Sequence, residues 1–132
     1  MLINPLRVAV GQVHCEVGNL HANLIQIERE AARARREQAD LIVFPELTLS
    51  GYAVGDGFHQ AAIRLGGPEV QRLARLSESI AIAVGVIEES ADARFFNSAL
   101  FFSDGQLRHV HRKMYLPTYG VFNEGRYFGR GR

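Results

Sequence analysis

Apolar positions along the chain fall into two rhythms, short continuous runs and one long stripe at helical spacing. Leu6 to Val13 follows a proline, is rich in valine and is broken only by Arg7 and Gln12, which predicts a mostly buried strand. Gly18-Asn19 offers a turn and a helix N-cap. Behind it, Leu20, Leu24, Ile27, Ala31 and Ala34 recur at alternating steps of four and three, one continuous helical stripe with charges on the other side. That helix should end near Ala39-Asp40, because Leu41-Ile42-Val43-Phe44 is a wholly apolar run before Pro45. Proline restricts the residue before it and cannot donate to a ladder, so this second strand should stop there and leave Glu46 just beyond its end.

The stretch from Thr48 to Gly67 is glycine-rich and reads as loop, with a short helical turn around Gln60 to Arg64. Gly67-Pro68-Glu69 marks a helix start, since proline suits the first helical position and an acid the first turn. Val70, Leu73, Ala74 and Leu76 give that helix its apolar side, and Ile80 to Ile87 is continuously apolar, as a central strand would be. Phe95 to Phe102 and Leu107 to Arg112 flank Ser103-Asp104-Gly105-Gln106, where Asp-Gly predicts a β-hairpin. From Met114 onward there is neither helical nor strand periodicity. The order β-α-β-loop-α-β-β-β, without repeats or linkers, indicates an α/β fold with a mixed sheet in a single domain over residues 1–132.

Composition adds mostly exclusions. The chain has 132 residues, 47% hydrophobic and 22% charged, with 15 basic against 14 acidic side chains. A formal charge of +1 gives no electrostatic reason to expect nucleic acid or an anionic membrane as partner. Arg33, Arg35 and Arg36 are interleaved with Glu28, Glu30 and Glu37 and read as a solvated helix face. Cys15 is the single cysteine, so no intrachain disulfide forms, which suits a reducing cytoplasm. No apolar run approaches membrane-spanning length and the first residues lack the pattern of a signal peptide, so a soluble cytoplasmic protein is expected.

Two residues carry the candidate chemistry. Glu46, fixed by Pro45 at the C-terminal end of a buried strand, sits where α/β sheets place their sites, and partial burial would suit it to general-base work. Lys113 closes the strand ending in His111-Arg112 and could stabilise an oxyanion or pair with a carboxylate. Taken alone, each has the plainer reading of a solvated surface charge. His109 and His111 alternate on one strand face, but no third ligand follows at sensible spacing, and a metal is not expected. The glycines at 55, 57, 66 and 67 fit no phosphate-binding fingerprint and read as turns.

Phe44-Pro45-Glu46-Leu47 with Ser50-Gly51-Tyr52 strongly resembles the catalytic-glutamate segment of the nitrilase superfamily of carbon–nitrogen hydrolases. Arg112-Lys113-Met114-Tyr115-Leu116-Pro117, running into Tyr119-Gly120-Val121-Phe122-Asn123-Glu124, resembles that family's catalytic-lysine segment. Val8 to Gln12, Asn97-Ser98-Ala99 and the helix before Asp40 also fall where such a protein has them, so the resemblance covers essentially the whole chain. It implies the N-terminal half of a four-layer α-β-β-α sandwich and a Glu-Lys-Cys triad acting on amides or nitriles through a thioester, without a cofactor. Glu46 would be the base, Lys113 the oxyanion stabiliser and Glu124 a second glutamate that positions substrate or lysine, with substrate contacts from Tyr52, Tyr119 and Phe122. The run from Tyr119 to Phe128 looks most like the amidase branches, including the glutaminase domains of NAD synthetases, and favours a small amide over a nitrile. It also implies a homo-oligomer for the full-length form.

One departure accompanies these matches. The family's nucleophilic cysteine follows the lysine segment on a strand–turn–helix elbow, and the sequence ends at Gly131-Arg132 with no such segment. Cys15, in His14-Cys15-Glu16, matches no part of that motif and reads as a semi-buried structural residue. The expectation is a chain carrying base and lysine without the nucleophile, inactive by itself. A non-catalytic half-domain that folds by assembling with a partner is the competing possibility.

Overall fold

The computed structural model describes residues 3–52, 54–119 and 123–132. Five strands form one sheet in the order β1 (Val8–Val10), β2 (Leu41–Val43), β3 (Ala81–Glu89), β4 (Phe95–Ser103) and β5 (Gln106–Arg112). The first three run parallel and the last two antiparallel, so the sheet is mixed, as expected. Two helices, α1 (Leu20–Arg36) and α2 (Pro68–Leu76), make the crossovers between the parallel strands. Parallel crossovers are right-handed, and for strands laid down in the order 1-2-3 that puts both helices on one face.

The pattern of burial follows that geometry. Ile27, Ala31 and Leu73 from the helices are fully buried against Ile42, Ile82, Val84, Leu100 and Phe102, the alternate positions that the strand register places on one side. The opposite face carries Val8, Val10 and Val43, which are exposed. One sheet and one helix layer are thus what these residues contribute to the expected sandwich.

Local chemistry sets the ends of the elements. Asn19 caps α1 by accepting a hydrogen bond from the Ala22 N–H. The α1 helix stops at Arg36, short of Ala39, because Gln38 turns into the left-handed region at φ 62° and brings Ala39 N–H back to Ala34 O. Buried Asn23 is fully paired: it accepts from Glu16 N–H and donates to the carbonyls of Glu16 and Leu49, tying the helix to the loop after β2. The hairpin turn has Asp104 at φ 52° and Gly105 at φ 77°, the positive pair that matches the strand twist.

Two expectations need correction. The first strand is confined to Val8–Val10, since its neighbour β2 offers only three residues to pair with before Pro45 ends it, and it is mostly exposed rather than buried, because Val8 and Val10 lie on the uncovered face of the sheet. The helical turn lies at Gly55–Ala61 as a 3-10 helix rather than at 60–64. Ile63 is extended instead, because its N–H and C=O bond to Ile87 O and Glu89 N–H alongside β3.

Gly85, in the middle of β3, is where the sheet meets the segment carrying Glu46. A β-carbon there would lie 2.3 Å from Leu47 N and 2.8 Å from Pro45 O. Gly85→Ala should therefore cost about 1–3 kcal/mol by overpacking. Gly66→Ala, with nothing within 4 Å of the new methyl, should stay within about 0.5 kcal/mol. Urea unfolding midpoints of the two variants check the contrast.

Candidate active site

The chain leaves β2 at Pro45 and tightens into a turn stapled to β3. Leu49 N–H bonds Gly85 O at 3.1 Å, Gly51 N–H bonds Leu47 O at 2.8 Å, and Thr48 Oγ1 donates to Pro45 O. Leu47 takes φ 51° within this turn, while its side chain is buried. These constraints leave little freedom to the backbone of Glu46.

Beyond β3 and β4, Lys113 follows the last residue of β5. Its N–H bonds Asn97 O at 2.8 Å and its carbonyl accepts from Gly131 N–H at 3.0 Å. The Lys113 ammonium reaches Glu46 Oε1 at 2.6 Å and Glu124 Oε1 at 3.0 Å. Asn97, buried on β4, donates from Nδ2 to the same Glu46 oxygen at 2.7 Å. Tyr52 donates its hydroxyl to Glu124 Oε1 at 2.5 Å. Glu46, Lys113, Glu124 and Tyr52, remote in sequence, thus form one hydrogen-bonded cluster with Asn97.

The environments within the cluster differ. The Glu46 side chain is 46% exposed, so the partial burial expected from its strand-end position is slight, and its neighbours are an ammonium and an amide. Glu124 is buried, on a 3-10 turn at Glu124–Arg126, and its Oε2 has no hydrogen-bond partner among the described residues. For Lys113, partial burial disfavours the ammonium, but hydrogen bonds to Glu46 and Glu124 and their charges outweigh it and hold its pKa above the usual lysine range. Partial burial, then donation to Glu124 and the charges of Glu124 and Glu46, push the Tyr52 phenol well above its ordinary pKa.

Two concavities adjoin the cluster. One, about 380 Å³, lies on the open sheet face and is lined by Glu46, Gly85, Asn97, Ala99, His111 and Lys113. The other, about 310 Å³, is walled by Tyr52, Phe58, Ile87, Glu124, Tyr127 and Phe128. A larger hollow of about 550 Å³ runs along the β5 edge past Arg94 and Arg130 and includes none of the cluster.

Of the other expected substrate contacts, Tyr119 is 72% exposed and Phe122 lies outside the described residues. Cys15 lines neither cavity beside the cluster, and burial pushes its thiol pKa up, the opposite of an activated nucleophile. Among the described residues, no three His, Cys, Asp or Glu side chains could hold a metal ion. No described helix is long and apolar enough to cross a membrane. Asn97 was the partner that sequence reasoning left without a role. A polar residue amid the apolar Phe95 to Phe102 run is the signal it offered.

Comparison with known proteins adds four findings. The carbon-nitrogen hydrolase family profile matches residues 7–132. The glutamine-dependent NAD(+) synthetase of Acinetobacter baylyi is 30% identical over 129 residues, which are 98% of this chain and 24% of that protein. Among solved structures, the glutamine-dependent NAD+ synthetase of Acinetobacter baumannii superimposes with a TM-score of 0.83 at 33% identity, over 96% of this chain and 24% of that one. A CN-hydrolase superfamily protein from Xanthomonas campestris shares the fold at a TM-score of 0.85 and 22% identity, with 98% of this chain covering 48% of its own. The chain thus spans about a quarter of the synthetases that it matches.

The raised pKa of Tyr52 has a testable consequence. The folded chain favours the protonated phenol, so Tyr52's contribution to stability is complete below pH 10.0, the ordinary value, and is lost as pH rises through the shifted one. In an ultraviolet titration, the difference between wild type and Tyr52→Phe should show phenolate absorbance only well above pH 10.0. Onset at that ordinary value would contradict the assigned hydrogen bond.

Proposed function

Because the chain belongs to the carbon–nitrogen hydrolase family, we propose that Glu46 and Lys113 are the base and the electrostatic stabiliser of a site that hydrolyses a small amide. The observation that carries this reading is the meeting of their side chains at 2.6 Å across 67 residues of sequence. A carboxylate and an ammonium that meet across the sheet from the ends of β2 and β5, beside an open concavity, can serve one reacting carbon between them.

In this reading a cysteine from outside these 132 residues approaches the concavity. Glu46 takes its proton, and the thiolate adds to the amide carbonyl. The Lys113 ammonium stabilises the oxyanion that forms. Glu46 then returns the proton to the departing nitrogen, leaving a thioester. Water, deprotonated by the same carboxylate, attacks the thioester, and the acid and the thiol are released. Glu124 keeps Lys113 aimed by sharing its ammonium, and Tyr52 holds Glu124 in place. The buried Oε2 of Glu124, without a partner among the described residues, accepts from a substrate N–H in this reading.

Glutamine is the favoured amide, because relatives at 30% identity or more over nearly the whole chain are named for glutamine-dependent synthesis. Assembly of the full-length protein as a homo-oligomer belongs to the same proposal.

Ammonia release by the full-length protein tests this. Glutamine should be hydrolysed, and Glu46→Gln and Lys113→Ala should each lower kcat by about 100-fold or more. Cys15→Ala should be without effect on turnover. Wild-type protein that releases no ammonia from any amide would favour the non-catalytic half-domain.

A further inference from the structure

The reading of Lys113 as oxyanion stabiliser requires that it face the open side of the sheet, and β5 has little of its own to ensure that. Its side chains alternate between partly buried and exposed, with Leu107 and Val110 as its only apolar anchors. Its pairing with β4 also shifts between Phe101 and Phe102, so the tight turn at Asp104-Gly105 does not by itself dictate the register at the far end. Because strand side chains alternate, a slip of one residue would send Lys113 to the helix side and Arg112 toward Glu46.

What stands on the other side of the sheet at that point is an ion pair. Glu88, on β3, is fully buried. Its Oε1 accepts from Arg112 Nη2 at 2.6 Å, and its Oε2 from Arg112 Nε at 3.0 Å and from Ser98 Oγ at 2.7 Å. The Arg112 guanidinium also lies 4.0 Å over the ring of Phe96. Register pairs place Glu88, Phe96, Ser98 and Arg112 together on the helix side. Consecutive residues thus make mirrored clamps through the sheet. Ser98 and Arg112 grip Glu88 on one face, while Asn97 and Lys113 grip Glu46 on the other.

We propose that Glu88 and Arg112 are positioning residues: their bidentate pair, anchored on the buried Glu88 carboxylate, locks the register of β5 and thereby presents the next residue, Lys113, to Glu46. A guanidinium fork on a carboxylate is demanding in distance and plane, which a lysine in its place could not reproduce. The side chain following Arg112 in a slipped strand would be Lys113 itself, whose single ammonium cannot make both bonds to Glu88. The native register is the one in which each cation finds the carboxylate suited to it. Buried polar pairs that select a register, rather than add stability, have precedent in other folds.

The test uses the full-length protein and a double variant, Glu88→Leu with Arg112→Leu, which removes the lock without leaving a buried charge uncompensated. Three quantities are read: thermal midpoint, hydrogen exchange at the Lys113 amide, and kcat and KM for glutamine. The fold should be retained, exchange at Lys113 should quicken by about tenfold or more, and kcat should fall by about 100-fold with KM changed little. Should the double variant fail to fold, Glu88→Gln, which keeps the shape, carries the same readouts and expectations. Arg112→Lys should recover only part of the lost kcat. Unchanged exchange at Lys113 would overturn the lock whatever the activity, and wild-type kcat despite lost protection would overturn its role in positioning. If Lys113→Ala is itself fully active, the proposed function fails, and amide exchange at residue 113 still decides the register lock.

Discussion

A single ammonium shared between two carboxylates organises this protein's candidate site. Lys113 lies within hydrogen-bond distance of both Glu46 and Glu124. Without it, two acids would face each other around one small volume, and like charges so placed oppose each other's ionisation. With it, Glu124 is tolerated in a buried setting, Tyr52 gains an acceptor, and Glu46 is held by a cation on one side and the Asn97 amide on the other. The exposure of Glu46 leaves it reachable from the open sheet face, which a base requires.

The sheet supplies the scaffold for that contact. β2 and β5 are separated by β3 and β4, and both site residues lie just beyond strand ends, so their long side chains must converge over the intervening strands. Small residues keep that path clear. Gly85 lets the Glu46 turn settle directly on β3, and Ala83 and Ala99 line the concavity between the two charges. The same two strands that bring Asn97 and Lys113 to one face bring Ser98 and Arg112 to the other, and so the site and its support are built from adjacent residues.

Much of this was legible locally. The stripe from Leu20 to Ala34, the stop at Pro45, the proline-led start of α2 and the Asp-Gly turn each follow from short-range chemistry and were found where that chemistry put them. Glu46, Lys113 and Glu124 were marked by the motifs around them. Tyr52 was marked too, as a substrate contact rather than as the partner of Glu124, but the pairings themselves were not, because pairing across a sheet depends on register rather than on neighbouring residues. Asn97 and Glu88 sit in or beside apolar runs whose periodicity says strand and nothing about which cation or acid lies opposite. The extended backbone at Ile63 was missed for a related reason, since its hydrogen bonds are to β3, remote in sequence. The family resemblance implied roles for six residues, and the geometry added hydrogen bonds among four of them, Glu46, Lys113, Glu124 and Tyr52.

In the proposed reaction, Glu46 activates a thiol for attack on an amide. The most direct measurement is covalent trapping in the full-length protein with a glutamine-derived electrophile, followed by intact-mass and peptide mapping. The account predicts one adduct per chain, on a cysteine other than Cys15, forming much more slowly in Glu46→Gln. An adduct on Cys15, or labelling at the same rate with and without the Glu46 carboxylate, would contradict it.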